Sequence, residues 1–221
     1  MFHPGDILSN RFEVIKMINE GLFSTIFSAR DRKSNLEVAI KQPKYDDLGF
    51  KNEYKMLKRL RPYNFSPTTL HFGGRSPKTY FYAMSLEGKN LNELAGTDGF
   101  KDRTVPLILY HGLMAIKFLH GIELSHGDVS LTNICCPRSP SKARLILVDP
   151  SEAKVLDKKS SRRDLNCLLT SVELVGRGHD IFIRLHRLLE TSTKPEDFIQ
   201  VINSLPDFNA QEHFQWEEEN A

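Results

Sequence analysis

His126-Gly127-Asp128-Val129-Ser130-Leu131-Thr132-Asn133, followed by the apolar run Leu145-Ile146-Leu147-Val148 and then Asp149, decides the fold of this 221-residue chain. A tight loop of this length brings Asp128 and Asn133 to one rim, and the apolar run delivers a second carboxylate beside them. Asp128 is then placed to accept a hydroxyl proton, while Asn133 and Asp149 offer the oxygen ligands that a hard Mg2+ ion takes. The pattern HxDxxxxN is weak alone. It becomes specific because it follows, at a suitable distance, the strand Val38-Ala39-Ile40-Lys41, which ends in a cation suited to phosphate.

Outward from the loop, the first third of the chain is strand-rich. Phe12, Val14 and Ile15, then Ile26 and Phe27, then Leu36, Val38 and Ile40 mark three short strands joined by polar turns, one of them Asp31-Arg32-Lys33-Ser34-Asn35. A helix is expected over residues 50–60, where Phe50, Tyr54 and Leu57 repeat at helical spacing. Glu53 lies beside that apolar stripe, and a carboxylate facing inward must be paired. Lys41 is its natural partner; a solvated edge position for Glu53 is the alternative. Strands over 69–72 and 80–84 lead into residues 85–88, which read as a crossing between lobes. Everything beyond reads helical, over 104–120 with Pro106 in the first turn, 161–175, 180–189 and 195–205. The expectation is an α+β chain with a β-rich lobe over 1–86, an α-rich lobe over 87–221, and the chemistry at a cleft between them.

Composition sets bounds. With 40% hydrophobic and 26% charged residues and a net charge of +2, the chain reads as an ordinary soluble globular protein, with no nucleic-acid or membrane partner indicated. Cys135, Cys136 and Cys167 are too few for a disulfide scaffold and suit a reducing compartment. The opening MFHPGDIL lacks a basic segment followed by an apolar run, and no stretch reaches the ~18 apolar residues of a membrane span. A monomer in the cytoplasm or nucleus is expected. His111, His120 and His126 with Cys135 and Cys136 match no compact zinc spacing. Lys158, Lys159, Arg162 and Arg163 read as a solvated basic loop, with retention of a phosphorylated substrate as the alternative. Glu217-Glu218-Glu219 reads as a frayed tail and Trp216 as its anchor.

Several stretches together carry a resemblance: GDILSNRFEVIKMI at the start, Glu37-Val38-Ala39-Ile40-Lys41, MSLEGKNLNEL from Met84, CPRSPSKARLILVDPSEAK around Asp149, KPEDF from Lys194 and HFQWEE near the end. In these the chain resembles eukaryotic protein kinases of the casein kinase I group, nearest the tau-tubulin kinase branch. The resemblance implies a bilobal protein-kinase-like fold, with a small β-rich N-lobe and a shortened helical C-lobe. It implies ATP and Mg2+ as cofactors and a protein substrate or binding partner. Lys41, paired with Glu53, would contact the nucleotide phosphates, and Asp128 would be the catalytic base. Asn133 and Asp149 would hold Mg2+, and Asp164 would brace the catalytic loop. Ile18, Ile26 and Ala39 would wall the adenine pocket with Met84 at its back. Backbone groups of Ser85, Leu86 and Glu87 would meet the purine edge, and Gly21 would lie in the turn covering the phosphates.

The departures from that pattern bear on activity. The phosphate-covering turn should read GxGxxG but is Asn19-Glu20-Gly21-Leu22-Phe23-Ser24; Asn19 would serve by tolerating a left-handed conformation. Gly127 replaces the arginine that pairs with a phosphorylated loop, which argues against control by loop phosphorylation. Ser130 replaces a lysine that stabilises the transferring phosphate, a loss of roughly 3 kcal/mol, on the order of a hundredfold in rate. Asp149-Pro150-Ser151 keeps the metal ligand but not the aromatic that follows it. From Asp149 to Asp164 is 164 − 149 = 15 positions, too few for the family's activation segment and peptide-docking shelf. Three readings follow: a pared-down serine/threonine kinase; a pseudokinase acting as scaffold or decoy; and, from HGDVS and RRDLN, an atypical kinase or ATPase of the RIO type.

Overall fold

The computed structural model describes residues 1–45, 48–74, 79–176 and 178–218. The chain divides into two compact units, Met1–Glu87 and Gly88–Ala221.

Alternating side chains build the first unit. Its strands are β1 (Ile7–Leu8), β2 (Phe12–Glu20), β3 (Ser24–Asp31), β4 (Glu37–Pro43), β5 (Thr69–Gly73) and β6 (Phe81–Ser85), joined in one antiparallel sheet of order β1-β2-β3-β4-β6-β5. Because successive residues point to opposite faces, Val38 and Ile40 enter one core with Phe12, Val14, Phe27, Ala29, Phe81 and Ala83. Ala39, Tyr82 and Met84 enter the other, with Phe50 and Leu57 of α1 (Leu48–Leu60). The central strand β4 is thus buried on both faces.

β2 departs from ideal register between Val14 and Lys16 and between Met17 and Asn19, which leaves Ile15 and Ile18 at bulges. Residues 21–23 then close the turn into β3, with the Gly21 N–H donating to the Ser24 carbonyl at 2.9 Å. Asn19 remains in β2 opposite Ile26 and has no left-handed backbone. That corrects the sequence expectation: three residues suffice to reverse the chain, so no left-handed asparagine is required. A Cβ at Gly21 would meet only the Ser24 carbonyl oxygen, at an ordinary 3.4 Å.

The second unit is mostly helical: α2 (Leu91–Ala95), α3 (Thr104–Gly121), α4 (Lys158–Glu173), α5 (Ile181–Thr191), α6 (Pro195–Asn203) and α7 (Gln215–Glu218). α3 buries residues on every side and packs against α4 and α6, as a helix apolar all round must. Gly112 lets α4 come close, since a Cβ there would stand 2.9 Å from a Leu168 methyl. The unit is not wholly helical. β7 (Leu124–Ser125) pairs with β10 (Lys154–Val155), and β8 (Ile134–Cys135) with β9 (Ile146–Leu147). Strands of two residues carry no readable alternation.

α4 starts three residues ahead of its expected start at 161. Asp157 and Ser160 form a reciprocal cap: Ser160 N–H donates to Asp157 Oδ1 at 2.6 Å, and Asp157 N–H to Ser160 Oγ at 2.9 Å. Lys158 and Lys159 therefore belong to a helix and not to a loop. Trp216 stacks on Phe214 at 4.4 Å and also meets Phe100, as expected of an anchor. Glu217 is not frayed, since Arg144 holds it at 2.5 Å; Glu219 lies outside the described residues. All three cysteines are free, and no described helix is long and apolar enough to cross a membrane.

One charged cluster ties the turns of the first unit together. The buried Asp31 carboxylate accepts from Arg11 Nε and Nη2 at 2.8 and 2.7 Å, from Lys33 N–H and from Ser34 Oγ. Arg11 above all, then these hydrogen bonds, holds its pKa well below the usual carboxylate range. A depressed carboxylate stabilises the folded state above its unfolded pKa of about 4, and that stability is lost as pH falls toward the folded value. Asp31→Asn should therefore lower the melting temperature at pH 7, with the gap to the parent closing below about pH 4. Thermal melts across pH check this.

Candidate active site

The first unit assembles a buried cation and its counter-charge. Lys41 lies on β4 between its partners Ile26 and Tyr82, and α1 carries Glu53 over the same sheet face. Lys41 Nζ donates to Glu53 Oε1 at 2.6 Å, with the two residues 5% and 4% exposed. Glu53 thus faces inward and is paired, which removes the solvated-edge alternative. The same oxygen also accepts the Tyr82 hydroxyl at 2.6 Å. Tyr82 was not singled out from the sequence. Its signal was available in the alternation of Tyr80, Tyr82 and Met84, which sets Tyr82 on the same face as Ala39 and Met84.

Ala39 and Met84 are cross-strand partners, and Ile26 and Leu86 pack against their cluster. Ile18, at its bulge, is half-exposed. At the end of β6, Ser85 N–H donates to Thr68 O at 2.8 Å, and Ser85 Oγ accepts Thr68 N–H and donates to Glu87 Oε1. The Ser85 N–H is thus taken up by the Thr68 carbonyl. Gly21 sits at the hairpin tip beside the exposed Leu22 and Phe23.

The second unit builds the Asp128 loop on a buried carboxylate. Asp164 of α4 accepts His126 N–H at 2.9 Å and Gly127 N–H at 2.8 Å, one on each oxygen, and His120 Nε2 lies 3.0 Å from Oδ2. Burial lowers the pKa of His126, which favours the neutral ring. A carbonyl can only accept, so His126 Nε2 carries the proton and donates to Val148 O at 3.0 Å. Its Nδ1 faces the Asp128 N–H at 3.4 Å. Val148 N–H in turn donates to Asn133 O. Asn133 Nδ2 closes the loop with bonds to Asp128 O at 3.0 Å and Asp128 Oδ2 at 2.8 Å. The Asp128 carboxylate is therefore oriented before any ligand arrives.

Gly127 has φ +84, and a Cβ there would stand 2.4 Å from the Glu152 carbonyl oxygen. The arginine expected from the family pattern is excluded by this close approach. Asp149 adopts φ 58, ψ 65 and heads the short turn Pro150–Glu152, in which Pro150 is buried. A left-handed non-glycine residue costs of order 1–3 kcal/mol and marks sites where geometry is imposed. Ser130 Oγ contacts Thr132 Oγ1 at 3.0 Å, so no cation stands at that position.

The donor set suits a hard cation that brings other ligands with it. With its Nδ2 turned to Asp128, Asn133 would offer a metal its Oδ1, and Asp149 would add a carboxylate. Among the described residues no three His, Cys, Asp or Glu side chains form a metal cage. One carboxylate and one amide oxygen, completed by water and phosphate, is the manner in which Mg2+ is held. The histidines considered for zinc are engaged elsewhere: His111 faces Ala210 O, His120 faces Asp164, and His126 holds Val148.

Two substitutions test the loop. Gly127→Ala must displace residues 150–152 and should lower the melting temperature of the chain. Asp164→Asn sets an NH2 group against one of the two backbone donors, a cost of about 1–3 kcal/mol. Faster amide hydrogen exchange at His126 and Gly127 is the expected readout.

No protein-family model matches the chain. A probable serine/threonine-protein kinase of Dictyostelium discoideum is 30% identical over 151 residues, covering 65% of this chain and 30% of that protein. The serine/threonine-protein kinase pakH of the same organism is 26% identical over 132 residues, covering 56% and 25%. A putative casein kinase I of Caenorhabditis elegans is 29% identical over 140 residues, covering 60% and 41%. The chain thus spans well under two thirds of the curated relatives it matches. The chain, with its α+β fold, is thus similar over part of its length to serine/threonine protein kinases.

Proposed function

We propose that this chain is a reduced serine/threonine protein kinase of the casein kinase I group, nearest its tau-tubulin kinase branch. It holds Mg-ATP and passes the γ-phosphate to a protein hydroxyl. The observation that carries the proposal is the preset Asp128 carboxylate, fixed by Asn133 Nδ2 at 2.8 Å on a loop pinned by Asp164. Asp128 accepts the proton of the attacking hydroxyl. Lys41, steadied by Glu53 and Tyr82, neutralises nucleotide phosphate charge. Asn133 and Asp149 hold the metal, and Mg-ATP supplies the electrophilic phosphorus. The placement within the casein kinase I group draws on the amino-terminal and MSLEGKNLNEL motifs, with the C. elegans relative in support. Three free cysteines suit an intracellular setting, and a monomer suffices for this chemistry.

The second reading is a pseudokinase that binds nucleotide weakly or not at all and serves as a scaffold or decoy for a partner. It is favoured by what fills the 15 positions from Asp149 to Asp164: a short turn, β10, a cap and the first turns of α4, with no span left over for a peptide shelf.

Thermal unfolding with and without Mg-ATP tests the nucleotide site without knowledge of the acceptor. At ~100 times the dissociation constant, linkage gives about 2.7 kcal/mol, a rise of roughly 5–10 °C for a chain of this size. The rise should need Mg2+, disappear in Asp149→Asn and shrink in Lys41→Met. Asp128→Asn should keep the rise yet lose phosphate transfer by about 10²–10⁴-fold, and Ser130→Lys should speed transfer. A rise with no transfer to any protein in the parent, or no rise at millimolar Mg-ATP, overturns the kinase reading and selects the pseudokinase.

A further inference from the structure

The second unit carries a surface cavity of about 630 Å³ lined by Lys154, Lys159, Arg162, Arg163, Asn166 and Glu190, with Ser160, His186 and Leu189 completing its walls. Lys154 comes from β10, the next residues from α4, and His186 to Glu190 from α5. Four cations thus face one carboxylate. Among the described residues no salt bridge engages any of the four; Arg162 reaches only the Glu190 carbonyl, at 3.5 Å, and Arg163 lies against the Cys167 thiol. His186 is already held by Glu173 at 2.8 Å.

The arrangement works against the stability of α4. Lys159 is three residues from Arg162 and four from Arg163, spacings at which like charges repel across a helix face. Lys158 and Lys159 stand in the first turn, where the helix dipole disfavours cations; the N-cap Asp157 offsets them in part, and the turn itself holds no acidic residue. A bound anion would relieve both penalties at once. The cavity lies within the range of small-molecule sites, ~300–1,000 Å³, and is far larger than one phosphate group requires. Two guanidinium forks and two ammonium groups suit several phosphate oxygens spread over such a volume.

We propose that this cavity binds a small soluble polyanion carrying two or more phosphate groups, an inositol polyphosphate or short polyphosphate in chemical class, at a site separate from the Asp128 loop. Arg163 directly precedes Asp164, so the ligand steadies the helix that holds the His126 and Gly127 amides. The proposal stands whether or not the chain turns over ATP.

Isothermal titration of the full chain near 0.15 M salt, where exposed charges act over only ~8 Å, tests it. The probes are inositol hexakisphosphate and tripolyphosphate, compared with inorganic phosphate, sulfate and a phosphoserine peptide. One saturable site is expected, with inositol hexakisphosphate at least about tenfold tighter than phosphate or sulfate. Lys159→Gln with Arg163→Gln should weaken it by about tenfold or more, while Lys55→Gln with Lys58→Gln on α1, an equal charge change elsewhere, should not. If the arginine variant fails to fold, Lys154→Gln with Lys159→Gln, both at exposed positions, decides in the same way. Non-saturating binding, equal loss in the α1 double variant, or tighter binding of the phosphopeptide overturns the proposal.

Discussion

Asp164 is the constraint from which the second unit takes its form. Its side chain is fully buried, and a buried carboxylate is tolerated only when its oxygens are met. Two adjacent backbone amides and His120 meet them, so the helix that carries Asp164 and the loop that carries Asp128 must be in register before either is stable. His126 extends that register to Val148, and Val148 to Asn133. Each contact orients a polar group and leaves the Asp128 carboxylate pointing one way.

The first unit uses the same principle with opposite chemistry. A single oxygen of Glu53 receives both Lys41 and the Tyr82 hydroxyl, and the Tyr82 ring stacks on Phe50 at 5.0 Å. Packing and charge therefore share one side chain. A buried ammonium is costly unless its partner is fixed, and the aromatic cluster over the sheet does the fixing.

Where long elements carry their own period, the sequence was legible: β2 to β4, α1 and α3 lie close to where alternation and helical spacing put them. The Lys41 and Glu53 pair followed from a carboxylate too close to an apolar stripe, and the Asp164 brace from the family resemblance. What escaped was local or cooperative. Two-residue strands have no period; the start of α4 depends on a reciprocal cap between Asp157 and Ser160; and the role of Tyr82 depends on which face of β6 meets α1. Asn19 was misjudged for a related reason, since hairpin closure is settled by cross-strand pairing that the turn residues alone do not show.

The approach of the Gly127 backbone to Glu152 acts as a ratchet. With residues 150–152 settled against a position that has no side chain, no single substitution places a cation there, because any β-carbon collides with main chain and not with a movable side chain. Position 127 and the turn after Asp149 can therefore change only together.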